Sequence, residues 1–159
     1  MSITIKGLHH NAYRCRDSEQ TRQFYEEFLG LPLTHALRLE ESKSGRKVHV
    51  LHTFYQMADG SFLAFFEAPD EPFEFKNQAD YDLHIALEVE RGELEPLMQR
   101  GRAAGVDTRG IADHTFIDSI YFRDPNGYVI ELTAKRSNHD TTLNPTDARD
   151  MLDRWQAGK

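Results

Sequence analysis

The feature that most constrains the fold of this chain is an internal repeat. The segment His10–Asp17 aligns with His84–Arg91, and Asp59–Phe65 aligns with Asn126–Leu132. A repeat unit of this size forms one supersecondary structure and cannot bury its own apolar face alone. The chain therefore contains two copies of one unit that need each other for a core.

Each copy is predicted as a strand, a helix and further strands, from period-two and helical spacing of apolar residues. The predicted elements of the first copy are a strand Ile3–Cys15, a helix capped by Asp17 or Ser18 and ended by Gly30, and strands Thr34–Glu40, Lys47–Met57 and Ser61–Glu67; those of the second are a strand Leu83–Glu90, a helix Glu93–Ala104 ended by Gly105, and strands Ile111–Tyr121 and Tyr128–Lys135. The segment Ala68–Tyr81, with two prolines, is the predicted linker.

This order predicts an α+β protein of two tandem βαβββ modules, at about residues 5–68 and 82–135, forming a curved mixed sheet around a central metal site. We expect one domain over residues 1–135 and a tail, 136–159, with a short helix that begins at Pro145. The apolar stripe of that helix, Ala148, Met151, Leu152 and Trp155, is expected to pack against the chain's own sheet or against a second subunit.

Composition narrows the function classes. With 39% apolar residues in 159 positions the chain can bury one core, and its net charge of -7 without a basic stripe argues against nucleic acid as a partner. The sequence has one Cys, no apolar signal core at its start and no run of membrane-spanning length. We expect a cytoplasmic protein with no membrane partner.

The repeat also predicts a metal site. His10 and His84 occupy equivalent first-strand positions, and Ala64 and Glu131 occupy equivalent last-strand positions. Four equivalent points can converge on one centre, and three of them carry ligands. Two imidazoles and one carboxylate form the set that holds Fe(II) on one face and leaves positions open.

Tyr121 is a second candidate, because of the turn that precedes Glu131. A type I turn with Pro125 at its second position and a left-handed Gly127 places Tyr121 opposite Glu131, on the same face of the sheet. A phenol there can hydrogen-bond or protonate a metal-bound oxygen. If the turn were a two-residue loop, Tyr121 would point away from Glu131. The alternative role for Tyr121 is that of an aromatic side chain in the core.

The pattern from His114 through Ile120-Tyr121 and Asp124-Pro125-Asn126-Gly127 to Glu131 resembles the signature of type I extradiol dioxygenases. These enzymes belong to the vicinal oxygen chelate superfamily, which also includes glyoxalase I and the fosfomycin and bleomycin resistance proteins. The chain is similar to this superfamily over roughly residues 5 to 135. The resemblance implies His10, His84 and Glu131 as metal ligands and His114 and Tyr121 as catalytic groups; the alternative for His114 is a loop residue that caps a strand.

The chain departs from the extradiol signature at Ala112, where other small or branched residues are expected, and it also lacks one histidine of these enzymes. The extradiol enzymes carry an acid/base histidine on the last strand of the first module, and Ser61–Phe66 contains none. His49 or His52 on the neighbouring strand is the candidate substitute. Because the two are an odd number of residues apart, at most one of them is expected to face inward. Glyoxalase I-like enzymes use a fourth ligand where this chain has Ala64. Glu67 is the nearest carboxylate, but three residues along a strand it is expected to face the opposite side.

The resemblance implies an Fe(II)-dependent extradiol dioxygenase that cleaves a catechol-like aromatic substrate with O2, in aromatic compound catabolism, with Mn(II) or another divalent metal as an alternative cofactor. Two other functions stay open: a glyoxalase-like metal-dependent isomerase or lyase, and a non-catalytic small-molecule binding protein of the bleomycin type. A homodimer is expected by analogy only.

Overall fold

A computed structural model of the protein describes residues 4–159. The helices and strands, in chain order, are β1 (Tyr13–Arg14), α1 (Ser18–Arg22) with a π-helical continuation (Gln23–Phe28), β2 (Leu33–Glu41), β3 (Lys47–Gln56), β4 (Phe62–Glu67), β5 (Ile85–Glu88), a 3₁₀ turn (Arg91–Glu93), α2 (Leu94–Ala103), β6 (Thr108–Asp113), β7 (Ile117–Arg123), β8 (Val129–Lys135), α3 (His139–Thr142) and α4 (Pro145–Ala157). The predicted α+β class is confirmed.

The chain divides into two compact units. The first comprises the residues up to Gln78 together with Asp124–Tyr128, and the second comprises Ala79–Arg123 and Val129–Lys159. Each unit has one four-stranded mixed sheet, in the orders β1-β4-β3-β2 and β5-β8-β7-β6. In each sheet the first strand is parallel to the last and the other neighbours are antiparallel.

The registers of the two sheets confirm the repeat. Tyr13 pairs with Phe65 in the first sheet, and Leu87 pairs with Leu132 in the second. These are equivalent positions in the sequence alignment of the two copies. The repeat in the sequence is therefore a repeat of sheet topology and register.

In the first unit, one face of the sheet is covered by α1 and its continuation. Tyr25 is fully buried, and its ring lies 4.6 Å from that of Phe65 and 5.6 Å from that of Tyr55, measured between centroids. Asp17 caps α1 by accepting a hydrogen bond from the Gln20 backbone N–H, as the sequence predicts.

The second unit is built in the same way. Leu94 and Met98 are the buried side chains of α2, and Ile120, Phe122, Ile130 and Leu132 are buried on β7 and β8. The alternate residues of these strands, which include Tyr121 and Glu131, lie on the opposite face. That face carries the candidate site.

Two sequence predictions for strands are corrected. The first strand is confined to Tyr13–Arg14, with an isolated bridge between His10 and Phe62; Ile3 lies outside the described residues. The predicted strand Ile111–Tyr121 is two strands, β6 and β7, because Asp113 accepts a hydrogen bond from the Thr115 N–H and Thr115 has a φ of 73°, which together turn the chain.

The tail contains the predicted helix. Asn144 caps α4, but the side chains of Met151, Leu152 and Trp155 are exposed, so the stripe is largely uncovered among the described residues. Among residues 4–159, no helix combines the length and apolar character needed to cross a membrane.

Candidate metal centre

The hairpin of β7 and β8 has the turn that the sequence predicts. Gly127 has a φ of 105°, and its N–H donates to the carbonyl of Asp124, whose own N–H donates to Tyr128. This turn sets the register in which Tyr121 lies opposite Glu131. The Tyr121 hydroxyl donates to Oε1 of Glu131 at 3.2 Å.

Glu131 is a buried carboxylate, with only 7% of its side chain exposed. Its partners among the described residues are Tyr121 and His84, whose Nε2 lies 3.3 Å from Oε2. A buried carboxylate without an arginine or lysine beside it is costly unless a cation compensates its charge.

The orientation of His84 points to such a cation. Its Nδ1 lies 2.6 Å from the backbone carbonyl of Asp80, which only accepts hydrogen bonds, so Nδ1 carries a hydrogen. In the neutral ring Nε2 then directs a lone pair at the carboxylate of Glu131. A shared cation satisfies both groups, and a carbonyl partner on the other ring nitrogen is typical of metal-binding histidines.

His114 extends the network. Its Nε2 lies 2.7 Å from the Tyr121 hydroxyl oxygen. Because Tyr121 donates to Glu131, His114 donates to Tyr121, which gives one directed chain of hydrogen bonds. Burial, followed by the charge of Glu131 and the hydrogen bond that Tyr121 donates to Glu131, raises the pKa of Tyr121, so the phenol stays protonated and remains a donor.

Asp80, which no pattern in the sequence marks as a site residue, organises one side of this network. Its carboxylate is 2.6 Å from Arg109 and 3.3 Å from Arg123, while its carbonyl holds His84. The guanidinium of Arg109 in turn lies over the Tyr121 ring, 5.5 Å from its centroid. Asp80 lies in the predicted linker, where an aspartate gives no signal of such a role.

The first unit holds the other predicted histidines. His10 is exposed, and its ring lies 5.7 Å from Phe54 and 6.3 Å from His52. Among residues 4–159, no three His, Cys, Asp or Glu side chains form a group able to hold a metal ion. The structure thus brings His84 and Glu131 together, and His10 as a third ligand stays a prediction.

The remaining candidate residues, His52, His49 and Glu67, differ in their burial and in the face of the sheet on which they lie. His52 is buried, bonded through Nδ1 to the Phe65 carbonyl at 2.9 Å, whereas His49 is exposed beside Asp70. At most one of the two faces inward, as predicted. Glu67 accepts a hydrogen bond from the Ser18 N–H at the start of α1, which puts it on the helix-covered face, away from that of Ala64.

Comparison with known proteins identifies the family. Residues 7–132 match the model of the Glyoxalase/Bleomycin resistance protein/Dioxygenase superfamily. The chain belongs to this superfamily.

Within the superfamily, the chain is 28% identical over 132 residues to the metallothiol transferase FosB of Shouchella clausii, covering 80% of each chain. A glyoxalase/bleomycin resistance protein/dioxygenase domain from Frankia sp. has 18% identity and a TM-score of 0.69, over 84% of this chain and 100% of that one. The fosfomycin resistance protein FosX of Listeria monocytogenes, solved with Mn(II) and sulfate, has 20% identity and a TM-score of 0.64, over 87% and 99%. These two structures show the shared fold.

The predicted extradiol function is wrong. The curated relative is a metallothiol transferase and several of the matching structures are fosfomycin resistance proteins, which lends no support to an aromatic diol substrate, O2, Fe(II) or aromatic catabolism. The physical reason is that the Asp-Pro-Asn-Gly hairpin fixes where the glutamate lies, and one such arrangement can serve several different reactions within a superfamily. The missing first-module histidine already set the chain apart from the extradiol enzymes.

Proposed function

We propose that this superfamily member is a divalent-metal enzyme that adds a thiol or water to a small electrophile bound through its oxygen atoms. The observation that carries the proposal is the pairing of His84 Nε2 with the buried Glu131 carboxylate, a donor set that fits a divalent cation. Mn(II), which FosX of Listeria monocytogenes binds, is the metal we favour.

The similarity to the metallothiol transferase FosB supports the reaction class, because it extends over 80% of both chains. A bound divalent cation would polarise an oxygen of the electrophile and make the neighbouring carbon easier to attack. This proposal is nearer to the glyoxalase-like, metal-dependent alternative from the sequence, which named an isomerase or lyase, than to the dioxygenase, which it replaces.

The residues of the chain have separate tasks in this proposal. His84 and Glu131 hold the metal, and the Asp80 carbonyl fixes the ring of His84. Tyr121 holds Oε1 of Glu131 in place, and His114 holds the Tyr121 hydroxyl. Hydrogen bonds of this kind, made to the metal ligands by neighbouring groups, orient the ligands in other metalloproteins.

The test is turnover of fosfomycin by Mn(II)-loaded protein, with and without L-cysteine or glutathione, followed by ³¹P NMR. Fosfomycin is the probe because a FosX structure contains 1S,2S-dihydroxypropylphosphonic acid, the corresponding diol. A thiol adduct supports transferase activity, and the diol without thiol supports hydrolase activity.

The controls are two substitutions. Glu131→Gln should abolish turnover, whereas His49→Ala, which removes an exposed histidine of the first unit, should retain it. If the Mn(II)-loaded protein leaves fosfomycin intact with every thiol, the proposed reaction on this epoxide is contradicted; saturable binding without turnover would favour a sequestering protein.

A further inference from the structure

The second unit contains a cavity of about 500 Å³ whose lining is rich in hydrogen-bond donors. The lining residues are Arg91, Thr115, Lys135, Arg136, Ser137 and Asn138. Three of the six are cations and none is an acid. The metal-centre residues His84, Tyr121 and Glu131 do not line this cavity.

A buried carboxylate holds two of these cations in place. Asp118, with 5% of its side chain exposed, lies 2.6 Å from Nη2 of Arg91 and 2.8 Å from Nη2 of Arg136. Nε of Arg136 also donates to it at 3.0 Å. Asp118 thus fixes the guanidinium groups of Arg91 and Arg136 beside the cavity.

Each guanidinium keeps further donors after binding Asp118. Arginine has five N–H groups, and Asp118 contacts Arg91 through Nη2 and Arg136 through Nε and Nη2. Nη1 of both side chains has no role in these contacts. Because the buried carboxylate restricts the rotamers of the two side chains, less conformational entropy is lost when a ligand binds.

The other acids near the cations are exposed. Glu88 lies 3.0 Å from Lys135, and Asp113 lies 2.8 Å from Arg136, but about 60% of each carboxylate side chain is exposed to solvent. Such surface pairs contribute little free energy and are screened by salt. Lys135 can therefore exchange Glu88 for a ligand at low cost.

Polar groups from two loops complete the lining. Thr115 belongs to the turn between β6 and β7, and Ser137 and Asn138 follow β8. Nδ2 of Asn138 donates to the carbonyl of Thr115 at 3.2 Å, which joins the two loops. The hydroxyls of Thr115 and Ser137 add donors to those of the three cations.

We infer that this cavity is a binding site for an oxyanion, namely the phosphate or carboxylate group of a small molecule. The fixed guanidinium groups provide charge-assisted hydrogen bonds, which are stronger than neutral ones. The site is separate from the metal-ligand pair, so it can be tested on the metal-free chain and does not depend on the proposed reaction.

The experiment is a titration of the full-length, metal-free protein with inorganic phosphate and, separately, acetate at low ionic strength, followed by ¹H–¹⁵N NMR. We expect saturable shifts of the backbone amides of Thr115, Ser137 and Asn138. Tighter binding of phosphate identifies the phosphate group as the ligand, and tighter binding of acetate identifies the carboxylate.

Matched variants separate the cavity from general charge effects. Arg91→Gln and Lys135→Gln should each weaken binding by about three- to tenfold, whereas Glu88→Gln should strengthen it. The matched controls are Arg38→Gln and Glu40→Gln, which alter an exposed ion pair on β2 of the first unit. Absence of saturable shifts, or equal effects of the cavity and control variants, would overturn the inference.

Discussion

Tyr121 lies directly opposite Glu131 across the antiparallel strands β7 and β8, and its hydroxyl donates to Oε1 of Glu131 at 3.2 Å. Ten residues separate the two in sequence, and the turn at Asp124–Tyr128 brings them together. A buried carboxylate is thus fixed by a phenol on one oxygen and faced by His84 on the other.

Replacement of Glu131 by glutamine tests the metal centre. Glutamine keeps the size of the side chain but removes the negative charge, so Mn(II) affinity should fall by more than the roughly 10- to 100-fold that loss of an outer-shell partner costs. Isothermal titration calorimetry measures the effect. Glu88→Gln, an exposed glutamate on β5, is the control, and unchanged Mn(II) binding by Glu131→Gln would reject Glu131 as a ligand.

Replacement of Tyr121 by phenylalanine tests the hydrogen-bond chain. The variant loses the donor to Glu131 and the acceptor for His114, so we expect metal affinity to fall by about 10- to 100-fold. The melting temperature of the metal-free protein should change little, because Tyr121 is only partly buried. Tyr81→Phe, at a tyrosine that is 89% exposed, should leave both quantities unchanged; a loss of stability without a loss of affinity would make Tyr121 a structural residue only.

Asp124 gives a prediction for the pH dependence of stability. Burial raises the pKa of this carboxyl above its usual 3.8, although Tyr25 and the N–H groups of Asn126 and Tyr128 donate to it. A raised pKa in the folded state means that the folded protein binds the proton more tightly than the unfolded chain. The stabilising contribution is therefore present below pH 3.8 and is lost as the pH rises through the folded-state pKa.

The measurement is urea unfolding of the wild type and of Asp124→Asn between roughly pH 4 and pH 7. Subtracting the free energy of unfolding of the variant from that of the wild type cancels the contributions of the other titrating groups. This difference should decrease as the pH rises, because the stabilising contribution of Asp124 is lost. A difference that increases with pH would show that the hydrogen bonds to the carboxylate outweigh its burial.

Gly101 in α2 is predicted to resist substitution. A Cβ atom there would overlap the ring of Phe122 and the hydroxyl of Thr108, so Gly101→Ala should destabilise the fold by about 1–3 kcal/mol despite the higher helix propensity of alanine. Gly92→Ala, where a Cβ meets no atom within 4 Å, is the matched control. Equal urea midpoints for the two variants would contradict this packing.

Much of the fold could be predicted from the sequence because it depends on local patterns. The repeat of strand and helix signals gave the same topology and register in both units, and Pro125 with Gly127 specified the turn that pairs Tyr121 with Glu131. The hairpin of β6 and β7 was missed because its turn contains neither Gly nor Pro. The Asp113 side chain and the left-handed Thr115 form that turn instead.

The sequence by itself thus determined the repeated α+β topology and the pairing of Tyr121 on β7 with Glu131 on β8. Only the tertiary structure decided that the Asp80 carbonyl orients His84, and that Asp118 holds Arg91 and Arg136 at one cavity. Turn chemistry and periodicity act over a few neighbouring residues and can be recognised in the sequence. The partners of a charged side chain depend on which distant segments the fold brings together, and no local pattern specifies them.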